Sequence, residues 1–279
     1  MADEYLVTDP FATEAVPEID LSASPISAAI MQIRFPAEVS AIRTALLDGR
    51  LTSALEDSYP YMQKQQELNL MIQVGQQPMA EPVPERTDTT NWAMYSEDRR
   101  WTINLTSQFI AITTTDYRSR SEFIDRVRDV IEGIQSKVKA PAASRIGMRY
   151  LNQVYGSDLY EWVGKLRPAT AGILSELNGE QSEGVGVSLS EIRFQWNDAA
   201  GMQARWGIIP AAAVLDVAMK TVPEASWILD IDTFNEESIE FNSTSVTQQT
   251  EVLSSRAYRF FRWAVPPEAL RRFKPREDE

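Results

Sequence analysis

The sequence predicts an α+β fold, with antiparallel sheets and helices packed on one side. Three observations lead there. Short β-rich runs follow one another at 92–96, 100–106 and 109–115, with turn residues between them. A strongly amphipathic helical stretch comes directly after. The second part of the chain repeats that order loosely, strands first and a long helix last. Strands and helices segregated in this way mark an α+β arrangement rather than an alternating one. The chain reads as an extended arm over 1–24, an N-terminal half over 25–160 and a C-terminal half over 161–279, the two halves being similar α/β units or one continuous domain. No repeat is strong enough to establish duplication.

Residues 1–24 are acidic, contain prolines and lack apolar periodicity, which predicts an arm ordered only where something docks it. After Pro25, Ala29, Met31, Ile33 and Phe35 alternate on one face of a strand. Pro36 suits the first position of a helix, and Val39, Ile42 and Leu46 keep helical spacing. Gly49 interrupts that helix, and a second short one ends before Pro60. Residues 65–75 carry a strand signal, and 76–91, with three prolines, read as a loop.

From Trp92 a three-stranded meander is expected, with Trp101, Ile103 and Leu105 facing inward. Ser119 and Glu122 then have the spacing of a capping box. Phe123, Val127, Val130, Ile131, Ile134 and Val138 form one helical stripe that Pro141 terminates. Residues 144–155 make another strand, with Arg145, Gly147 and Arg149 on the face opposite Ile146, Met148 and Tyr150. In the second half, 190–196 and 201–209 form a hairpin, and 211–222 fit a helix or a strand equally well. "WILDIDTF" is a strand, and a long helix follows it as far as Pro266 and Pro267.

Composition removes several chemistries. The 279 residues carry a net charge of −13 with a pI near 4.7, and such an acidic field repels phosphate backbones. Nucleic acid is therefore an unfavoured partner. There is no cysteine and no histidine, so thiolate nucleophiles, Ser-His-Asp triads and His- or Cys-ligated metals are excluded. General acids and bases would have to be Asp, Glu, Lys or Tyr. The first twenty residues lack an apolar h-region, and no run reaches the length of a bilayer span. The expectation is a soluble, cytoplasmic protein with no membrane contact and no cofactor.

The order of landmarks carries a resemblance. It runs through "PISAAIMQIRF" at 25–35, Tyr59-Pro60, "WAMYSED" at 92–98, "TTTDY" at 113–117, "RIGMRYLNQV" at 145–154 and "LDIDTF" at 229–234. Together these resemble a family of sporadically distributed bacterial and archaeal proteins of about this length, whose function is unassigned. The resemblance covers most of the chain and implies an α+β protein. Sporadic occurrence implies an accessory role of the kind found in phage, defence or toxin–antitoxin loci. It supplies no catalytic residues.

Two sets of residues are candidates for function. In the strand 226–235, Asp230 and Asp232 share a face, with side chains roughly 7 Å apart. They could bridge Mg²⁺ or Mn²⁺ in a phosphoester-processing enzyme, with Glu236 and Glu237 close by. They could instead pair with Arg145 and Arg149 as a structural ionic network, which leaves no metal site. Gly147, between the arginines, would leave room for an incoming anion. The other set lies on the last long helix, where Arg256, Arg259, Arg262 and Trp263 interleave with Tyr258, Phe260 and Phe261. Aromatics on several faces cannot all enter one core: they could pack over a sheet as core, or form a protein interface, where Trp, Tyr and Arg are enriched. The leading expectation is a non-enzymatic protein-binding or self-associating accessory protein. "GVGVSL" at 184–189 lacks the third glycine and the strand–helix setting of a dinucleotide fingerprint. The basic "RRFKPR" near the C-terminus reads as a solvated tail.

Overall fold

The computed structural model describes residues 6–68, 86–214, 216 and 218–275. Nine strands form one sheet: β1 (Ile26–Arg34), β2 (Tyr61–Leu68), β3 (Arg86–Tyr95), β4 (Trp101–Leu105), β5 (Phe109–Thr114), β6 (Arg145–Tyr155), β7 (Ser188–Gln195), β8 (Ala200–Ile209) and β9 (Ser226–Asn235). Their order is β2-β3-β4-β5-β1-β6-β9-β8-β7, and every neighbouring pair is antiparallel. The segments 25–160 and 161–279 meet inside this sheet, where β6 pairs with β9 along its whole length.

The helices gather on one face. α3 (Arg120–Gln135) and α7 (Ser243–Ala264) pack against each other, with the short α4 (Leu159–Val163), α5 (Pro168–Ala171) and α6 (Gly179–Glu183) between them in the chain, and α7 lies on β6 and β9. Alternation in the strands explains the layering, since residues two apart share a face. Met31, Ile33, Ile103, Ile112, Met148, Leu229 and Ile231 all point to the helical side and are buried. From α3, the stripe Phe123, Val127, Val130, Ile131 and Ile134 closes on them. Side-chain oxygens cap both long helices: Ser119 accepts from the Glu122 amide, and Asn242 from the Ser245 amide. The opposite face of the sheet is polar along most of its length. A small apolar cluster of Ala28, Leu151, Ile209, Met219 and Ile228 lies there, beneath the loop joining β8 to β9.

Several local expectations change. Pro36 does not start a helix, because α1 spans Ser40–Leu47 with Val39 at its N-cap. Gly49, at φ 79°, divides α1 from α2 (Arg50–Leu55), since a left-handed residue cannot continue a helix. The strand expected from residue 65 begins earlier, at Tyr61, and its part beyond Leu68 lies outside the described residues. Residues 86–91, read as loop, belong to β3, where pairing with β2 overrides weak local propensity. The segment 211–222 is neither helix nor strand among its described residues. Met219, with Ala213 and Ala218, serves the small cluster under the loop instead. The basic C-terminal stretch is not free either: Arg272 pairs with Asp158 and donates to the Tyr155 carbonyl at 2.8 Å, and Phe273 is buried.

Candidate functional site

On the polar face, β6, β9 and β8 bring a set of charges into register. Arg149 stands opposite Asp232, Leu151 opposite Asp230, and Arg205 of β8 opposite Asp230. The pairing is diagonal. Arg149 donates through Nε (2.8 Å) and Nη2 (2.9 Å) to the two oxygens of Asp230, a bidentate fork. Its Nη1 donates to Asp216 at 2.7 Å, and Arg205 adds a third donor to Asp230 at 2.7 Å. Arg145 donates to Asp232 at 3.0 Å and stacks over the Phe234 ring at 5.0 Å. The structure thus joins Arg145, Arg149, Asp230 and Asp232, and adds Arg205 and Asp216.

The electrostatics follow from this crowding. Burial alone would lower the Arg149 pKa, but its bonds to Asp230 and then Asp216 outweigh burial and hold it above its ordinary value. Asp232 has one guanidinium contact where Asp230 has two, and burial holds its carboxyl above the usual range against the pull of Arg145 and Arg149. A cleft of about 200 Å³ opens between Arg149, Gln203, Arg205, Asp230 and Asp232. Both Asp230 oxygens are already committed to guanidinium donors, which compete with any cation for the same lone pairs. Among the described residues, no group of three or more Asp or Glu side chains is placed to hold a metal ion. The space beside Gly147 is also taken: a Cβ there would lie 2.7 Å from Nη1 of Arg145, so that arginine fills the room expected for an anion.

The second set of residues lies on α7, and there the structure contains an occupant. The N-terminal arm, described from Leu6, crosses this helix without forming a helix or a ladder of its own. Arg259 spends its whole guanidinium on the arm's main chain, with Nε and Nη2 donating to the Glu14 carbonyl at 3.0 and 2.8 Å and Nη1 to the Asp9 carbonyl at 3.0 Å. The Tyr258 hydroxyl accepts from the Ile19 amide at 2.8 Å and donates to the Pro17 carbonyl at 3.4 Å. Arg262 Nη1 donates to that carbonyl at 3.3 Å. Two residues outside α7 complete the set: Trp196 donates to the Phe11 carbonyl at 2.7 Å, and Arg167 to the Val7 carbonyl at 2.7 Å.

Side chains of the arm supply fewer anchors. The Phe11 ring stacks on Phe194 at 3.9 Å and 9°, and Val7 is buried. Glu18 pairs with Arg120 at 3.0 Å. The Arg259 side chain is only 13% exposed while that of Glu14 remains 76% exposed, so the groove grips Glu14 chiefly by its backbone, with a longer 3.8 Å approach to its carboxylate. Beneath residues 18–21 and Ser24 of the arm and the start of β1 lies a cavity of about 270 Å³, walled by Tyr117, Tyr150, Asn152 and Tyr258 among others. Burial raises the pKa of both Tyr117 and Tyr150, and the Tyr150 hydroxyl donates to Ser254 at 3.1 Å.

The four α7 residues singled out from the sequence therefore have different situations. Arg259 holds the arm. Arg256 stacks over Trp196 at 4.5 Å, and desolvation lowers its pKa. Trp263 lies half-buried against Arg167. Arg262 is no surface residue at 1% exposure, because Tyr258 and the arm cover it. Arg167, Trp196, Arg205 and Asp216 were missed. Arg205 has the right strand parity, but only the β8–β9 register brings it to Asp230. Trp196 ends a strand run whose pattern says nothing of the arm, Asp216 lies in a stretch of ambiguous periodicity, and Arg167 lies in one to which no element was assigned.

Comparison with protein-family models and with curated proteins gives no match. Among the described residues, no helix is long and apolar enough to cross a membrane.

Proposed function

We propose that this chain is a non-enzymatic protein-binding protein and that its binding surface is the groove on α7 bordered by Arg167 and Trp196. The observation that carries this reading is the use made of the groove's donors. Arg167, Trp196, Tyr258, Arg259 and Arg262 all engage main-chain groups of an irregular segment. A surface built to satisfy carbonyls suits any peptide of the right path, because every residue presents a carbonyl. Its arginines and aromatics are the residue types that dominate binding energy at protein interfaces. An accessory role of the kind associated with phage, defence or toxin–antitoxin loci agrees with this reading.

The alternative, a Mg²⁺- or Mn²⁺-dependent phosphoesterase at Asp230 and Asp232, gains no support from the geometry. A base or metal ligand needs free lone pairs, and the Asp230 oxygens accept three guanidinium bonds.

The test is affinity capture of the tagged full-length protein from its native host, followed by mass spectrometry. A stoichiometric partner is expected, with recovery falling at least tenfold in Arg259→Ala. Equal recovery by both proteins, or no partner at all, would remove the groove from the account.

A further inference from the structure

The arm is itself a peptide lying in the groove, so its chemistry describes what the groove accepts. We propose that the arm, residues 6–20, is an intramolecular stand-in for an acidic segment of a partner protein, and that the two compete for the same site. This rests on the protein-binding reading above and adds the chemistry of the partner: an irregular segment rich in Asp and Glu with one aromatic side chain.

Three observations carry the assignment. The contacts run through the arm's main chain at Val7, Asp9, Phe11, Glu14, Pro17 and Ile19, groups that a segment of different sequence also presents. The aromatic requirement comes from Phe11, the arm's stacking anchor, whose ring lies on Phe194 at 3.9 Å and approaches Phe260 at 6.1 Å. The charge preference comes from the groove, which presents Arg120, Arg167, Arg259 and Arg262 to an arm carrying Asp9, Glu14, Glu18 and Asp20. Of these acids, Glu18 meets Arg120 directly, and Glu14 lies 3.8 Å from Arg259. Attraction between opposite charges of this kind speeds encounter more than it adds affinity.

Competition follows from connectivity. The arm leaves the groove through residues 21–25, where the Ser22 and Ala23 amides donate to the carbonyls of Lys274 and Phe273. A segment tethered this closely has an effective concentration on the order of millimolar. A partner segment of equal intrinsic affinity would thus bind only weakly until the arm is loosened.

The experiment titrates a synthetic peptide of residues 6–20 into the full-length chain by calorimetry. Phe11→Ala and, separately, Val7→Ala in the protein loosen the arm, each checked for an unchanged far-ultraviolet spectrum. The proposal expects saturable binding to the loosened variants, at least tenfold tighter than to the wild type. Adding Arg259→Ala to either variant should abolish it, as should Phe11→Ala in the peptide. Equal binding to wild type and variants, or no binding to any, would overturn it and leave the arm a fixed part of the fold. A wild-type dimer in sedimentation that Phe11→Ala converts to monomer would assign the groove to the arm of a second copy, and would also overturn it. The two readings fail separately. An Arg259-dependent partner without peptide binding sinks only the stand-in claim, whereas peptide binding without any captured partner sinks the protein-binding role.

Discussion

Asp230 is 5% exposed and accepts three charge-assisted bonds from Arg149 and Arg205. Removing its charge leaves two guanidinium groups facing a neutral amide in a partly dry setting. Breaking such a pair from one side costs far more than the pair contributes net, because a desolvated charge is left behind. Asp230→Asn should therefore lose about 3 kcal/mol in urea unfolding. The loss should be the same with and without millimolar Mg²⁺, whereas a metal site would tie the effect to the cation. Tyr59 makes a second prediction. Burial raises its pKa to about 12, partly offset by Arg126. A raised folded-state value means that the folded state holds the proton more tightly. That stability is fully present below pH 10 and is lost as pH rises through about 12. Tyr59→Phe should flatten alkaline unfolding between those values, by about 2 kcal/mol at the upper end. At this scale the sequence was informative where parity sufficed: Arg145, Arg149, Asp230 and Asp232 could be assigned to faces from alternation alone. It was silent on Asp216, which reaches Arg149 from an irregular loop.

Among the elements, β7 has little support. It is one of the two edge strands, paired only with β8, and all of its residues are half-buried or exposed. Its hold on the sheet depends on close backbone approach at Gly207, which sits at φ 136° with the site of a Cβ only 1.8 Å from the Ser188 carbonyl oxygen. No side chain fits there, and the conformation is one that L residues rarely adopt. Gly207→Ala should push β7 away from β8 at that end, read as faster hydrogen exchange in 188–195 with β9 unaffected. The long elements were legible because their periodicity is strong, and α3 also because its Ser119 cap is local; the Asn242 cap of α7 was not read from the sequence. β2 and β3 were harder, because pairing between strands with weak patterns is decided by partners and not by propensity. The crowding of Tyr258, Phe260, Phe261 and Trp263 signalled a second contact surface on α7. Its occupant could not be seen, since an arm without periodicity leaves no pattern to match against a helix.

The whole molecule has one sheet with two unlike faces. Helices and the apolar core occupy one side, and an ionic lattice with a small apolar patch occupies the other. Function, on our account, belongs to the helical side, where α7 offers its outer surface to a peptide. The ionic face then serves registry: a one-residue slip of β9 would turn Asp230 and Asp232 into the core, at a cost no hydrophobic gain offsets. This division explains why the Asp-x-Asp strand and the arginine strand stand out together in the sequence. They are partners in the fold, and the residues we propose for recognition lie on the opposite side of the sheet.

The central claim is that the arm occupies the place a partner would take. Hydrogen exchange of the full-length chain, alone and saturated with the captured partner, tests it most directly. The account predicts slow exchange at the Ile19 amide in the free chain, where Tyr258 accepts its hydrogen bond. It further predicts faster exchange across residues 6–20 when the partner binds, with α7 as protected as before. Unchanged exchange in 6–20 at saturation would contradict it, and would leave the arm as a permanent part of the fold with the partner bound elsewhere.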